Sequence, residues 1–199
     1  MAEKPMLFNT EMVKAILDGR KTQTRRILKI TTAPVLYAEV TPPSSIQITK
    51  DCMAAVRWNS DVIGGFDLKP PYLPGDILWV RETWQYIPES DTDGFYVYAA
   101  DREEPADWKW RPSIHMPREA ARLFLRVTSV RVQRLQNITS GEAVAEGIKS
   151  NLRSPSEAAD ALIAFEELWN STLKPADLPL YGWGANPWVW VIGFVRIEK

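Results

Sequence analysis

Gly19-Arg20-Lys21-Thr22-Gln23-Thr24-Arg25-Arg26 is the stretch on which the reading of this chain turns. Upstream, Asn9 or Thr10 offers a helix N-cap and Met12, Val13, Ile16 and Leu17 recur at helical spacing. Gly19 then occupies the place of a left-handed C-cap residue. Past that turn, Thr22–Ile30 reads as extended, because its Thr and Ile content and its alternation outweigh its charge. With Lys29 the stretch carries five positive charges in eleven residues and no acid. On a strand, Thr22, Thr24 and Arg26 point one way and Gln23 and Arg25 the other, while Lys21 at the turn leans to either side. Lys21, Thr24 and Arg26 can thus converge at one mouth of a small barrel. The plain alternative is a solvated edge strand whose cations discourage edge pairing.

Working outward, residues 31–75 are punctuated by Pro34, Pro42, Pro43, Pro70, Pro71 and Pro74, with short candidate strands at Ser45–Thr49 and Ala54–Trp58. Pro74-Gly75-Asp76 is a turn into a buried strand, Ile77–Arg81. Gln85–Pro117 is a second excursion with one strand, Phe95–Ala99, and Leu123–Leu135 alternates as a long strand. A short helix over Ser140–Gly147 precedes a longer one opened by Ser154-Pro155-Ser156-Glu157, a capping box with proline at the first helical position. Its stripe is Leu162, Phe165, Leu168 and Trp169. Gly182–Pro187 is a loop and Trp188–Ile197 the final strand. This order predicts one α+β domain over residues 1–199: a small mixed β-barrel with flanking helices and insertions at about 31–73 and 86–120.

The chain has 199 residues, 45% of them hydrophobic, and sets 24 Lys+Arg against 25 Asp+Glu. That balance excludes a wholesale basic coat, so a nucleic-acid site must come from local clustering. One cysteine, Cys52, and one histidine, His115, exclude a disulfide framework and leave a structural zinc dependent on carboxylates. No Walker-type glycine loop or dinucleotide fingerprint occurs, so neither metal nor bound cofactor is expected. No segment approaches the roughly 20 apolar residues of a membrane helix, and the N-terminus lacks a secretory pattern. A cytoplasmic protein with no membrane partner is expected. Nine tryptophans are the oddity: they form a core and its rim, or they stack a flat ligand in a cleft.

The pattern helix–Gly19-Arg20-Lys21-Thr22-x-Thr24-x-Arg26 resembles the opening motif of the ASCH superfamily, whose barrel is related to the PUA RNA-binding fold. Further pieces recur in the same order: Gly75-Asp76-Ile77-Leu78-Trp79-Val80, Phe124–Val130, Ile138-Thr139-Ser140 through Ala145-Glu146-Gly147, and Val189–Ile197. The whole chain looks like phage- and prophage-type ASCH proteins with Arg81-Glu82-Thr83-Trp84, Ile114-His115-Met116-Pro117 and Asn186-Pro187-Trp188-Val189-Trp190. The resemblance implies a nucleoside, RNA or ssDNA ligand. One branch removes the acetyl group of N4-acetylcytidine with a threonine, a lysine and a glutamate, roles that fall by motif on Thr24, Lys21 and Glu146. Other members are assigned ribonuclease or plain binding roles.

The chemistry of these residue types is coherent. A threonine hydroxyl is a poor nucleophile until a base takes its proton, and a lysine does so only with a lowered pKa. Arg20, Arg25 and Arg26 push Lys21 that way and Glu146 opposes them. Glu146 orients the lysine, protonates the leaving amine, or is a plain helix-end carboxylate. Arg26 is placed to hold an oxyanion, and Thr22 is the alternative hydroxyl. Trp79, Arg81, Glu82 and Trp84 are expected to tend to one face, where aromatic and cationic planes suit base stacking, with Glu82 pairing to the basic first strand. Trp108-Lys109-Trp110-Arg111 repeats that interleaving on a loop. Trp79, Trp84 and Trp110 are the rings expected to hold a base. His115 is a hydrogen-bonded structural residue or an acid–base group, and Asn186 reads a base edge or caps a turn. Three functions stand: an amidohydrolase on a modified nucleoside, an RNA- or ssDNA-binding module, and an interaction protein of phage origin that docks through surface tryptophans.

Overall fold

The computed structural model describes residues 2–29, 45–48, 54–58, 62–66, 70–89, 92–102 and 109–198. Trp108, Cys52 and the prolines Pro34, Pro42 and Pro43 singled out above lie outside the described residues. The chain opens with β1 (Glu3–Leu7) and α1 (Thr10–Leu17). Asn9 caps this helix, its side chain accepting the Met12 N–H at 2.8 Å, and Gly19 follows the C-cap at φ +74°. Next come β2 (Gln23–Ile27), the three strands β3 (Ser45–Ile48), β4 (Ala54–Trp58) and β5 (Val62–Phe66), and β6 (Ile77–Arg81). The second excursion forms a hairpin of β7 (Trp84–Glu89) and β8 (Thr92–Tyr98). After it, β9 (Phe124–Arg134), α2 (Ser140–Ala145), α3 (Pro155–Ser171), the one-turn α4 (Leu178–Tyr181) and β10 (Trp188–Ile197) complete the chain.

Five strands form the principal sheet in the order β1-β6-β9-β10-β2. Only the β1–β6 pair is parallel. The apolar run Pro5–Phe8 gave no alternation to mark it as a strand; it forms an edge strand, where Pro5 is tolerated because one side of the strand needs no ladder donor. β10 is buried on both faces, which is why Trp188–Val195 reads as one apolar run. Trp190, Ile192 and Phe194 pack with Met6, Val13, Leu78, Leu125 and Val127 in one core. Val189 and Val191 pack with Leu135, Ile138, Phe165 and Trp169 beneath α3 in the other.

The fold is α+β as expected, but backbone pairing among the described residues does not close the barrel: β1 and β2 stand at opposite ends of the strand order. A side chain spans them instead. Arg26 Nη2 on β2 donates to Leu7 O on β1 at 2.8 Å. At α3, Ser154 accepts the Glu157 N–H at 3.2 Å, while the Glu157 carboxylate takes the Arg153 N–H, one residue earlier than a reciprocal box requires. The full capping box is at α2, between Thr139 and Glu142.

The turn before β6 is anchored by Asp76, only 5% exposed. Its carboxylate accepts from Lys4 Nζ at 2.9 Å, Ala2 N at 3.0 Å and Leu73 N at 3.1 Å. Burial on its own raises this carboxyl, but these donors outweigh it and hold it at about 2, below the usual 3.8. A depressed carboxyl stabilises the fold above its unfolded pKa, and that contribution disappears as pH falls through the folded value. Asp76→Asn is therefore expected to lower unfolding free energy by about 2 kcal/mol at pH 7. In urea titrations the gap from wild type should narrow as pH drops from 4 towards 2.

Candidate functional site

The turn after α1 folds the densest charge cluster inward. Lys21 N donates to Ala15 O and Thr22 N to Ala145 O, both at 2.9 Å, which stitches the turn to α1 and to the end of α2. Lys21 is then 2% exposed, and its Nζ donates to Glu146 O at 2.7 Å, Gln23 O at 2.9 Å and Glu146 Oε2 at 3.0 Å. All three ammonium hydrogens are matched. Glu146, the C-cap of α2, uses Oε1 to accept from Arg25 Nη1 at 2.8 Å. Arg25 Nη2 donates to Glu142 Oε2 at 3.0 Å, and Arg131 also reaches Glu142. The Phe8 ring lies 5.5 Å from Lys21 Nζ, and the Phe165 ring 5.7 Å from the Arg25 guanidinium carbon.

Burial pushes the Lys21 ammonium down from 10.5 and Glu146 pulls it back up; Arg26 and Arg25 add to the downward push, and the net direction is down. Burying two cations around one carboxylate needs their hydrogens matched: all three of Lys21 are, and both terminal nitrogens of Arg25 reach acids, while Arg25 Nε is buried without an acceptor among the described residues. Here the helix-end carbonyl of Glu146 contributes the extra acceptor.

Thr24, 1% exposed, lines a small pocket with Arg25, Arg26, Glu146, Phe165 and Trp169. Its volume of about 30 Å³ admits one or two water-sized groups. The rings on this pocket come from α3, and Trp169 keeps its indole N–H on Tyr181 O at 2.8 Å. Helical periodicity marked Phe165 and Trp169 as core stripe; their second role, walling Thr24, depends on how α3 crosses β2 and has no signal in the spacing.

The remaining predicted site residues are elsewhere. Arg20 donates to Gly147 O at 2.6 Å and pairs with Asp18 at 2.8 Å, and Thr22 is exposed. Trp79, Arg81, Glu82 and Trp84 do not share a face: Trp79 and Arg81 are half-buried, while Glu82 and Trp84 are buried. One strand ends at Arg81 and the next begins at Trp84, so no single alternation runs through all four. The Arg81 and Arg118 guanidiniums lie 5.5 and 5.8 Å from the Trp79 ring. Glu82 pairs not with the first strand but with Arg122, through bonds of 2.9 and 3.0 Å, and Arg122 in turn reaches Asp101 at 2.7 Å. Burial raises the Glu82 carboxyl against the pull of Arg122.

Trp84 and His115 line a second, larger pocket of about 760 Å³ with Tyr86, Tyr96 and Arg111, while half-buried Trp110 lines neither pocket. The three indoles expected around the base, Trp79, Trp84 and Trp110, are thus all absent from the Thr24 pocket. Asn186 is a turn residue at φ +46°, its Oδ1 accepting the Gln136 N–H at 2.9 Å. Among the tryptophans whose side chains are described, Trp79, Trp110, Trp183 and Trp188 are half-buried and Trp84, Trp169 and Trp190 are buried. Among the described residues no helix is long and apolar enough to cross a membrane.

No family model and no curated protein matches the chain. Among solved structures, the ASCH domain from Lactobacillus crispatus JV V101 is similar over 100% of this chain and 81% of that one, at 11% identity and a TM-score of 0.42.

Removing the charge of Glu146 leaves two buried cations without their shared partner. Glu146→Gln is expected to lower unfolding free energy in urea by about 3–5 kcal/mol at pH 7. A loss under about 1 kcal/mol would contradict the network.

Proposed function

We propose that this chain is an ASCH-type protein with a PUA-like fold that binds a nucleobase-containing ligand and hydrolyses an amide on it, with N4-acetylcytidine as the representative substrate. The observation that carries this reading is the burial of Lys21 against Glu146, whose side of the pair lines the pocket with Thr24. A hydroxyl and an arginine on one small concavity, with a lysine whose pKa is pushed down held behind it by Glu146, are parts an acyl transfer needs. The pocket has room for an acyl group rather than a ring, so the base lies at its mouth.

In the proposed reaction the Thr24 oxygen bonds to the acyl carbon as the carbonyl π pair moves onto oxygen. The hydroxyl proton passes to the neutral amine of Lys21, which Glu146 holds as an ammonium. Arg26, on the pocket wall, faces the oxyanion. Collapse breaks the carbon–nitrogen bond, and the same proton goes to the departing exocyclic amine. Water then attacks the threonine ester, giving the carboxylic acid and the free hydroxyl. A small ligand is favoured over a phosphate track because the cations of this strand are occupied: Lys21 and Arg25 are buried in ion pairs and Arg26 holds Leu7 O.

The test is turnover of N4-acetylcytidine by purified protein, followed by release of cytidine. Thr24→Ala is expected to reduce kcat by roughly a thousandfold or more, with nucleoside binding retained. Full turnover in Thr24→Ala overturns the nucleophile. Absence of turnover in the wild type, together with oligonucleotide binding that weakens steeply with salt, would favour the non-catalytic RNA- or ssDNA-binding module.

A further inference from the structure

The larger pocket lies on the second excursion and takes no part in the chemistry at Thr24. Three rings pack into one wall: the centroids of Trp84 and Tyr96 are 5.7 Å apart and those of Tyr86 and Tyr96 are 5.3 Å apart. Each ring is held in place. Trp84 is 4% exposed beside Met116 and Ala120. Tyr96 Oη donates to Glu119 Oε1 at 2.8 Å, and Tyr86 donates to Asp93 O. Gly94, at φ +66°, keeps that last contact possible, since a Cβ there would lie 2.6 Å from the Tyr86 hydroxyl.

Two features of this wall point to a ligand. The Trp84 indole Nε1 is buried with no acceptor among the described residues, although Trp84 lines the cavity. A buried N–H without a partner is costly, and an entering acceptor atom would relieve it. Arg111 and His115, both exposed and both on the pocket wall, add a guanidinium and an imidazole at the same concavity, and the Arg111 guanidinium lies 5.2 Å from the Trp84 ring. The volume of about 760 Å³ falls within the roughly 300–1,000 Å³ of small-molecule sites.

We propose that this pocket binds a nucleotide: the base stacks on the Tyr86–Tyr96 wall and accepts from the Trp84 indole, and its phosphate meets Arg111 and His115. Asp93 and Glu119 on the same lining accept from a base amino group and repel excess negative charge. The site therefore selects a phosphate monoester or an internucleotide phosphate over a triphosphate. The ligand is either a free mononucleotide or one residue of a single strand. The site uses no residue of the Thr24 pocket, so it stands whether or not the amide is hydrolysed.

The test follows the indole N–H resonance of Trp84 by ¹H–¹⁵N NMR, assigned with Trp84→Phe, while AMP, CMP, ATP, adenosine and an octauridylate are added to the full chain. AMP or CMP should move that resonance more readily than ATP. Arg111→Ala, an exposed change, should weaken AMP about tenfold and leave adenosine nearly unaffected; Thr24→Ala should change neither. Octauridylate binding at least tenfold tighter than CMP assigns the site to a strand, and comparable affinity assigns it to a free nucleotide. An unmoved Trp84 resonance with every one of these ligands at millimolar concentration overturns the proposal. So does a response to tetramethylammonium alone, which would make the rings a cage for alkylated amines, or an unchanged AMP affinity in Arg111→Ala.

Discussion

Two cations and a carboxylate buried together, Lys21 and Arg25 around Glu146, are the constraint on which the architecture rests. Charges removed from water are tolerated only when most of their hydrogens are matched, and matching those of the Lys21 ammonium and the Arg25 terminal nitrogens fixes three elements relative to one another. The turn after α1 brings Lys21, β2 brings Arg25, and the end of α2 brings both the Glu146 carboxylate and its carbonyl. Had α2 extended further, that carbonyl would have gone to a helical N–H. The helix ends where the lysine needs an acceptor.

The same constraint decides what the basic strand can do. A run of cations on a strand reads first as a phosphate-binding edge, yet here the side chains are largely turned to internal partners. Lys21 and Arg25 go to acids, Arg20 to Asp18 and Gly147, and Arg26 to the carbonyl of the opposite edge strand. Arg26 thereby joins two edges that the backbone leaves unpaired while also facing the pocket. The strand supplies a confined polar site rather than an electrostatic groove.

How much of this was legible follows from the range of each interaction. The helix capped at Asn9, the left-handed Gly19, the strand Ile77–Arg81 and the strand Trp188–Ile197 follow from local pattern, and all of these appear in the structure. The edge strand Glu3–Leu7 did not, because its partner is some seventy residues away and its only local mark is an apolar run around a proline. The convergence of Lys21, Thr24, Arg26 and Glu146 at one place was proposed from motif order. The aromatic wall around Thr24 was not legible, since only the crossing of α3 over β2 selects Phe165 and Trp169. Glu82 shows the reverse error: expected against the basic strand, it is met through two bonds by Arg122, which follows the second excursion and is remote in sequence.

The account stands on the protonation of one amine, so the most direct measurement is the pH titration of the Lys21 side chain by ¹³Cε and ¹⁵Nζ NMR, assigned with Lys21→Met. Burial is the larger influence, so the midpoint should lie below the 10.5 of an exposed lysine, and Glu146→Gln should lower it further by removing the group that pulls it up. A midpoint at or above 10.5, unmoved by Glu146→Gln, would show that the amine is solvated and that the buried network does not exist.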